Sequence, residues 1–94
     1  MELRFEWDEK KNAANIRKHG LSFEEAIMVF SDPKRCELYD HAHSFIENRW
    51  KMIGIVRWCV LIVSFTERRK DKTIRIISAR KADKNEIKEY LYGN

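Results

Sequence analysis

The chain opens on L-R-F-E-W, Leu3–Trp7, whose strict alternation predicts a half-buried strand with Leu3, Phe5 and Trp7 toward the core. Asp8 follows with a carboxylate that can take the free amides of a helix's first turn. The helix it starts runs to Lys18 or His19, and Gly20 stops it, since glycine enters the left-handed cap conformation without strain. Its apolar side is thin, with Ala13 and Ile16 among Lys10, Lys11, Arg17 and Lys18. Ser22-Phe23-Glu24-Glu25 has capping-box spacing, and Phe23, Ala26, Ile27 and Phe30 then form one stripe of a second helix. Asp32-Pro33 ends it. Two short helices parted at Gly20 read as a helical hairpin lying over a sheet.

From Lys34 to Asn48 the pattern fades. Glu37-Leu38-Tyr39 fits a short edge strand and His41–Glu47 a polar loop. Beyond Arg49 the period of two returns, with Trp50, Met52 and Gly54 alternating with Lys51, Ile53 and Ile55. A turn at Arg57-Trp58 leads to Val60–Val63, a continuous apolar run expected of a central strand covered on both faces. The charged turn Glu67–Lys72, which includes Arg69, returns the chain as Thr73–Ala79. Connections this short join strands as an antiparallel meander. Asp83 and Glu86 repeat the capping-box spacing for a last helix with Ile87, Tyr90 and Leu91 as its buried stripe, and Gly93 lies past its end. The expected architecture is α+β, in the order β-α-α-β-β-β-α: an antiparallel sheet with helices packed on it, forming a single domain over residues 1–94.

Composition changes this picture little, and charge changes it more. With 94 residues, 44% hydrophobic and 36% charged, the chain reads as globular, with one modest core. No apolar run approaches the roughly 18–20 residues of a membrane span. Met1-Glu2-Leu3-Arg4 lacks the layout of a signal peptide, so the expectation is a cytoplasmic protein. Of the two cysteines, Cys59 reads as a small buried side chain, and Cys36 shows no sign of being a nucleophile. His41 and His43 lack a second ligand pair at zinc spacing, so no metal site is expected. The net charge of +4 hides an asymmetry: residues 1–48 carry 7 Lys/Arg against 10 Asp/Glu, and residues 49–94 carry 12 against 5. That gives one part of the surface a field attractive to polyanions.

The basic residues gather in Thr66–Ala82, T-E-R-R-K-D-K-T-I-R-I-I-S-A-R-K-A. A guanidinium in an apolar strand needs an anionic partner, because desolvating an unpaired charge is costly. Arg75 and Arg80 have opposite parity, so they converge on one pocket only if the strand bulges near Ser78–Arg80. Two such groups suit docking of a phosphodiester and stabilisation of the charge that develops when a ribose 2′-hydroxyl attacks the adjacent phosphorus. Glu67 and His19 are candidates for the base, and Lys81, Tyr90 or Tyr92 for the acid. His19 equally suits a helix's last turn through the macrodipole alone. Trp7 and Trp50 read as core, and Trp58 as exposed and able to stack on a base. No Gly-rich phosphate loop, no Ser/His/Asp arrangement and no metal-carboxylate cluster is present, which narrows an enzymatic reading to metal-free chemistry on RNA. A module that only binds, docking an acidic protein segment or DNA on the same basic face, fits these residues too.

Phe5–Ala26 (F-E-W-D-E-K-K-N-A-A-N-I-R-K-H-G-L-S-F-E-E-A), Val29–Pro33 (V-F-S-D-P), Thr66–Arg68 and Ile74–Ala82 (I-R-I-I-S-A-R-K-A) together resemble the BrnT toxins of bacterial type II toxin–antitoxin systems. The resemblance spans nearly the whole chain. It implies a RelE-like ribonuclease fold and growth arrest by RNA cleavage without a cofactor. It also implies neutralisation by a BrnA-like antitoxin with a DNA-binding domain, through which alone the pair reaches operator DNA. Carried over by position, the family motif falls on Trp7, His19, Glu67, Arg68, Arg75, Ser78, Arg80 and Lys81. The resulting expectation gives Arg80, Arg75, Glu67, His19 and Lys81 catalytic roles, and Arg68, Ser78 and Trp7 contacts with substrate.

Overall fold

The computed structural model describes residues 3–68 and 70–93; Arg69, read as part of the charged turn, lies outside them. Five strands form one sheet: β1 (Arg4–Glu6), β2 (Cys36–Tyr39), β3 (Trp50–Val56), β4 (Cys59–Arg68) and β5 (Thr73–Lys81), in the order β1-β5-β4-β3-β2. The β3-β4-β5 meander is antiparallel as the short connections require, with β4 at the centre. Two features correct the expected architecture. β2 is a fifth strand, paired antiparallel to β3 from Cys36↔Ile53 to Tyr39↔Trp50. The sheet is also mixed rather than wholly antiparallel, because β1 runs parallel to β5 through Arg4↔Thr73, Phe5↔Ile74 and Glu6↔Arg75.

Helix α1 (Glu9–His19) starts at Asp8, whose side chain accepts from the amides of Lys10 and Lys11, and ends at Gly20 in the left-handed conformation, φ 70°. Its core side is not the expected one. Ala13 and Ile16 face outward, Ile16 at 45% exposure, and the buried residue is Asn15. The reason lies in β1, whose pairing with β5 ends at Arg75 and leaves the upper half of β5, paired to β4 on one edge, without a strand on the other. The Asn15 carboxamide takes that place. It accepts from the Ala79 amide at 3.1 Å and donates to the Ala79 carbonyl at 2.9 Å, as a peptide of an adjacent strand would. A further N–H of the same amide group reaches the Leu21 carbonyl. Asn12, one turn earlier, accepts from the Phe23 amide and so sets the start of the next helix.

That helix, α2 (Phe23–Ala26), begins with the reciprocal Ser22–Glu25 capping box and after one turn tightens into a 3-10 helix, Ile27–Ser31. A 3-10 helix repeats every three residues. Val29 therefore lies below Ala26 and is fully buried, while Ile27, expected in the stripe, is only half-buried. Phe23, Ala26, Val29 and Phe30 meet Met52, Leu61, Val63, Phe65, Ile74, Ile76 and Ala79 in the principal core, with Phe5, Trp7 and Trp50 packed against it. Gly54 is required where the 3-10 segment crosses β3: a Cβ there would come within 3.0 Å of both Val29 Cβ and the Val29 carbonyl oxygen.

Helix α3 (Lys84–Tyr92) has the expected Asp83–Glu86 capping box and packs against β3 on the opposite face, over Ile53 and Ile62. It is tied across the sheet edge. The Tyr90 hydroxyl donates to Asp32 Oδ2, which also accepts from the Ile55 amide at 2.8 Å. Ile87 and Tyr90 are half-buried, but Leu91, expected in the stripe, is exposed in the helix's last turn. Cys59 is likewise exposed rather than buried, since it directly follows the β3-β4 turn. In that turn Trp58 is 96% exposed.

Candidate active site

The site is set by one extra residue in β5. Between β4 and β5 the register steps from Phe65↔Ile76 to Ser64↔Ser78, leaving Ile77 without a partner. Residues directly opposite across an antiparallel pair share a face, and the bulge restores to one face what regular alternation would separate. Arg75 opposite Thr66, Ser78 opposite Ser64 and Arg80 opposite Ile62 all lie on the α3 side of the sheet. Lys51 is opposite Ser64 in β3, so Lys51, Ser64 and Ser78 form a row across three strands.

Helix α3 covers only part of this face. Beside it lies an open basin of about 250 Å³, floored by Ser64, Ile77 and Ser78 and walled by Lys51, Arg49, Arg80, Asp40 and His43. Arg80 is fixed by a bidentate pair with Glu86, Nη1 to Oε1 at 2.7 Å and Nη2 to Oε2 at 2.8 Å, and a third N–H reaches the Lys81 carbonyl. Of its five N–H groups two therefore stay available. The Glu86 hydrogen bonds raise the guanidinium's pKa further. The Arg80 hydrogen bonds hold the Glu86 carboxyl below its usual range against the opposing effect of burial. Glu86 also accepts from the Asp83 amide, so the capping box that starts α3 is the same group that orients Arg80.

The opposite wall is the loop from Asp40 to Arg49, closed at its mouth by backbone and side chain together. The Asp40 amide donates to the Arg49 carbonyl at 2.9 Å. Ser44 Oγ donates to the Asp40 carbonyl at 2.6 Å and accepts from the Arg49 amide at 3.0 Å. Within it a 3-10 turn, His41–His43, brings His43 Nδ1 to 3.1 and 3.2 Å from the two carboxylate oxygens of Asp40. Beyond His43 the loop exposes Phe45 (91%) and Ile46 at a second hollow that shares His43 and Arg49 with the first.

The other residues expected at the site are distributed elsewhere. Arg75 and Arg68 are on the α3 face but outside the basin, both held by Glu6 of β1 at 3.1 and 2.9 Å. Glu67 is opposite Ile74 on the helical face, in a hollow with Leu3, Arg35 and Glu37, where burial and then the charge of Glu67 push the Glu37 carboxyl up. Lys81, opposite Leu61, lines another hollow on that face with Leu21, Glu25 and Val56. His19 ends α1 and does not line the basin. Trp7 packs edge-on against Phe23, and its indole N–H donates to Glu9. Of the eight expected residues only Arg80 and Ser78 line the basin; Arg49, Lys51, Ser64, Asp40 and His43, which the sequence reading passed over, complete it. Two signals pointed to them: Lys51 has opposite parity to core residues Trp50 and Met52, and Asp40 and His43 have D-x-x-H spacing. Among the described residues no group of three or more His, Cys, Asp or Glu side chains is placed to hold a metal ion, and no helix is long and apolar enough to cross a membrane.

No curated protein matches the chain. A family model described as the ribonuclease toxin, BrnT, of type II toxin–antitoxin systems matches residues 7–86, a span that takes in every residue lining the basin. With most of its length covered, the chain belongs to the BrnT family of ribonuclease toxins.

Proposed function

We propose that the basin between α3 and the Asp40–Arg49 loop is where this toxin cleaves RNA, by attack of a ribose 2′-hydroxyl on the adjacent phosphorus without a metal ion. The observation that carries this reading is the bulge at Ile77, which aligns Arg80 and Ser78 with Lys51 and Ser64 beneath a cationic wall. Lys51, Arg49 and the two remaining N–H groups of Arg80 supply fixed positive charge where the phosphorane carries its extra negative charge. The serine hydroxyls can donate to non-bridging oxygens, and exposed Phe45 offers a ring on which a neighbouring base stacks. Arg75 and Arg68, which share the single carboxylate of Glu6, steer the strand with their remaining charge rather than stabilise the reacting phosphate.

The layering of helices on a bulged sheet supports a RelE-like arrangement, and RNA as the substrate would put its action in the cytoplasm. The antitoxin that a type II system supplies is, on this reading, a BrnA-like protein. Its acidic segment covers the basin, and its DNA-binding domain carries the complex to operator DNA.

Arg80→Ala and Lys51→Ala are each expected to lower RNA cleavage on the order of 10²–10³-fold, the loss typical of removing one donor from an oxyanion site. The fragments should end in 2′,3′-cyclic phosphate, and a 2′-deoxy residue at the cut should block the reaction. Full cleavage and growth arrest by both variants would place the site elsewhere.

A further inference from the structure

We infer that His43, held by Asp40, is the base that takes the proton from the attacking 2′-hydroxyl; this rests on the basin being the cleavage site. Three observations on one short loop point the same way. Asp40 is only 7% exposed, while the His43 side chain is 64% exposed, so the carboxylate is anchored and the ring is open to a ligand. Both Asp40 oxygens approach one ring nitrogen, Nδ1, at 3.1 and 3.2 Å. A carboxylate accepts, so Nδ1 carries the proton and Nε2 presents its lone pair. The loop ends are fastened through Ser44 and Arg49, which keeps the pair against the wall facing Lys51, Ser78 and Arg80. A histidine whose far nitrogen is fixed by a buried carboxylate is an oriented proton acceptor.

In the step this implies, Nε2 accepts the 2′-hydroxyl proton while the O2′–P bond forms. The P–O5′ bond breaks, and the departing 5′-oxygen takes a proton from water, whose hydroxide later takes the proton from the imidazolium and so restores the free base. A 2′,3′-cyclic phosphate and a 5′-hydroxyl result, with His43 left as imidazolium balanced by Asp40. Asp40 is a positioning residue, since it touches the ring and not the substrate.

The test uses the full-length toxin in a bacterial translation extract, which offers RNA both free and on ribosomes, with cleavage read as cyclic-phosphate ends on an added messenger. Affinity is read separately by fluorescence anisotropy with a short 2′-O-methylated RNA that cannot be cut. His43→Ala and His43→Gln are expected to lower the cleavage rate on the order of 10²–10⁴-fold, the range for a lost general base, with affinity for the methylated RNA within about threefold. Asp40→Asn is expected to lower the rate less and to change the ring ¹⁵N signals of His43, which report the tautomer. If both His43 variants cut at the wild-type rate while Arg80→Ala and Lys51→Ala do not, His43 is not the base and the basin stands. If all four cut normally, the basin itself is wrong. If the His43 variants lose affinity in proportion to rate, His43 binds rather than accepts the proton.

Discussion

Asn15 carries more of this fold than its residue type suggests. One carboxamide satisfies the amide and carbonyl of Ala79, in the part of β5 that leads to Arg80, and the Leu21 carbonyl besides. Replacing it with alanine strands buried backbone groups that water cannot reach, an expected loss of about 2–3 kcal/mol by urea denaturation. Asn15→Asp, nearly isosteric, is expected to cost at least as much, because a carboxylate would face two carbonyl oxygens. Equal stability of all three proteins would show that β5 needs no such partner. Gly54→Ala tests the other close approach: the added methyl meets the Val29 backbone and Cβ, and neither is a flexible side-chain end. The expected destabilisation is about 1–3 kcal/mol. Neither role was legible in the sequence. Hydrophobic periodicity chose Ala13 and Ile16 as the helix's inner side, since it scores a residue by its own polarity and cannot see a strand edge waiting to be completed.

At the scale of elements, the strands and helices with strong periods and caps could be read in advance: α1 with Asp8 and Gly20, the capping boxes at Ser22 and Asp83, and the β3-β4-β5 meander. β2 could be read only as a short edge strand outside the expected order, and the stretch after it only as a polar loop, because four residues and a segment stitched by Ser44 leave no apolar rhythm. The arginine parity problem could be posed from sequence, but its answer, an unpartnered Ile77, appears only in the register. The β3-β4 turn contains an oddity of its own. Arg57 and Trp58 both have positive φ, 48° and 75°, a conformation that side chains other than glycine, asparagine and aspartate resist. Arg57→Asn with Trp58→Gly is expected to raise stability by about 1–2 kcal/mol, read as a higher melting temperature. A lower melting temperature would mean that the exposed indole holds something the turn geometry does not reveal.

Across the whole molecule the two helical layers communicate through Asp32, which stands where the sheet edge lets Tyr90 reach it. Burial pushes the Asp32 carboxyl up, but the Tyr90 hydroxyl and the Ile55 and Lys34 amides outweigh it, and the net shift is downward. Tyr90 moves the other way: the Asp32 hydrogen bond, aided by burial and the carboxylate's charge, pushes its pKa from 10.0 up to about 12. A raised folded-state value stabilises the protein fully below the unfolded value and loses that stabilisation as pH climbs to the folded one. The latch should therefore weaken between about pH 10 and pH 12, and the stability difference between wild type and Tyr90→Phe should shrink across that window. On the acid side the Asp32 contribution is complete above the ordinary aspartate range and fades as pH falls through it. A constant difference between the two proteins at alkaline pH would remove the latch.

The parallel pairing of β1 with β5 has a consequence for how the toxin comes into being. Strand β1 waits for β5, with Glu6 and Arg75 separated by 69 positions, and Arg80 waits for Glu86 still further on. A ribosome must therefore hand over the chain as far as Glu86 before the proposed cutting surface can assemble, which leaves an interval in which a partner can meet an unarmed chain. A toxin truncated after Ala82 is expected to give no cooperative melting transition and to arrest no growth.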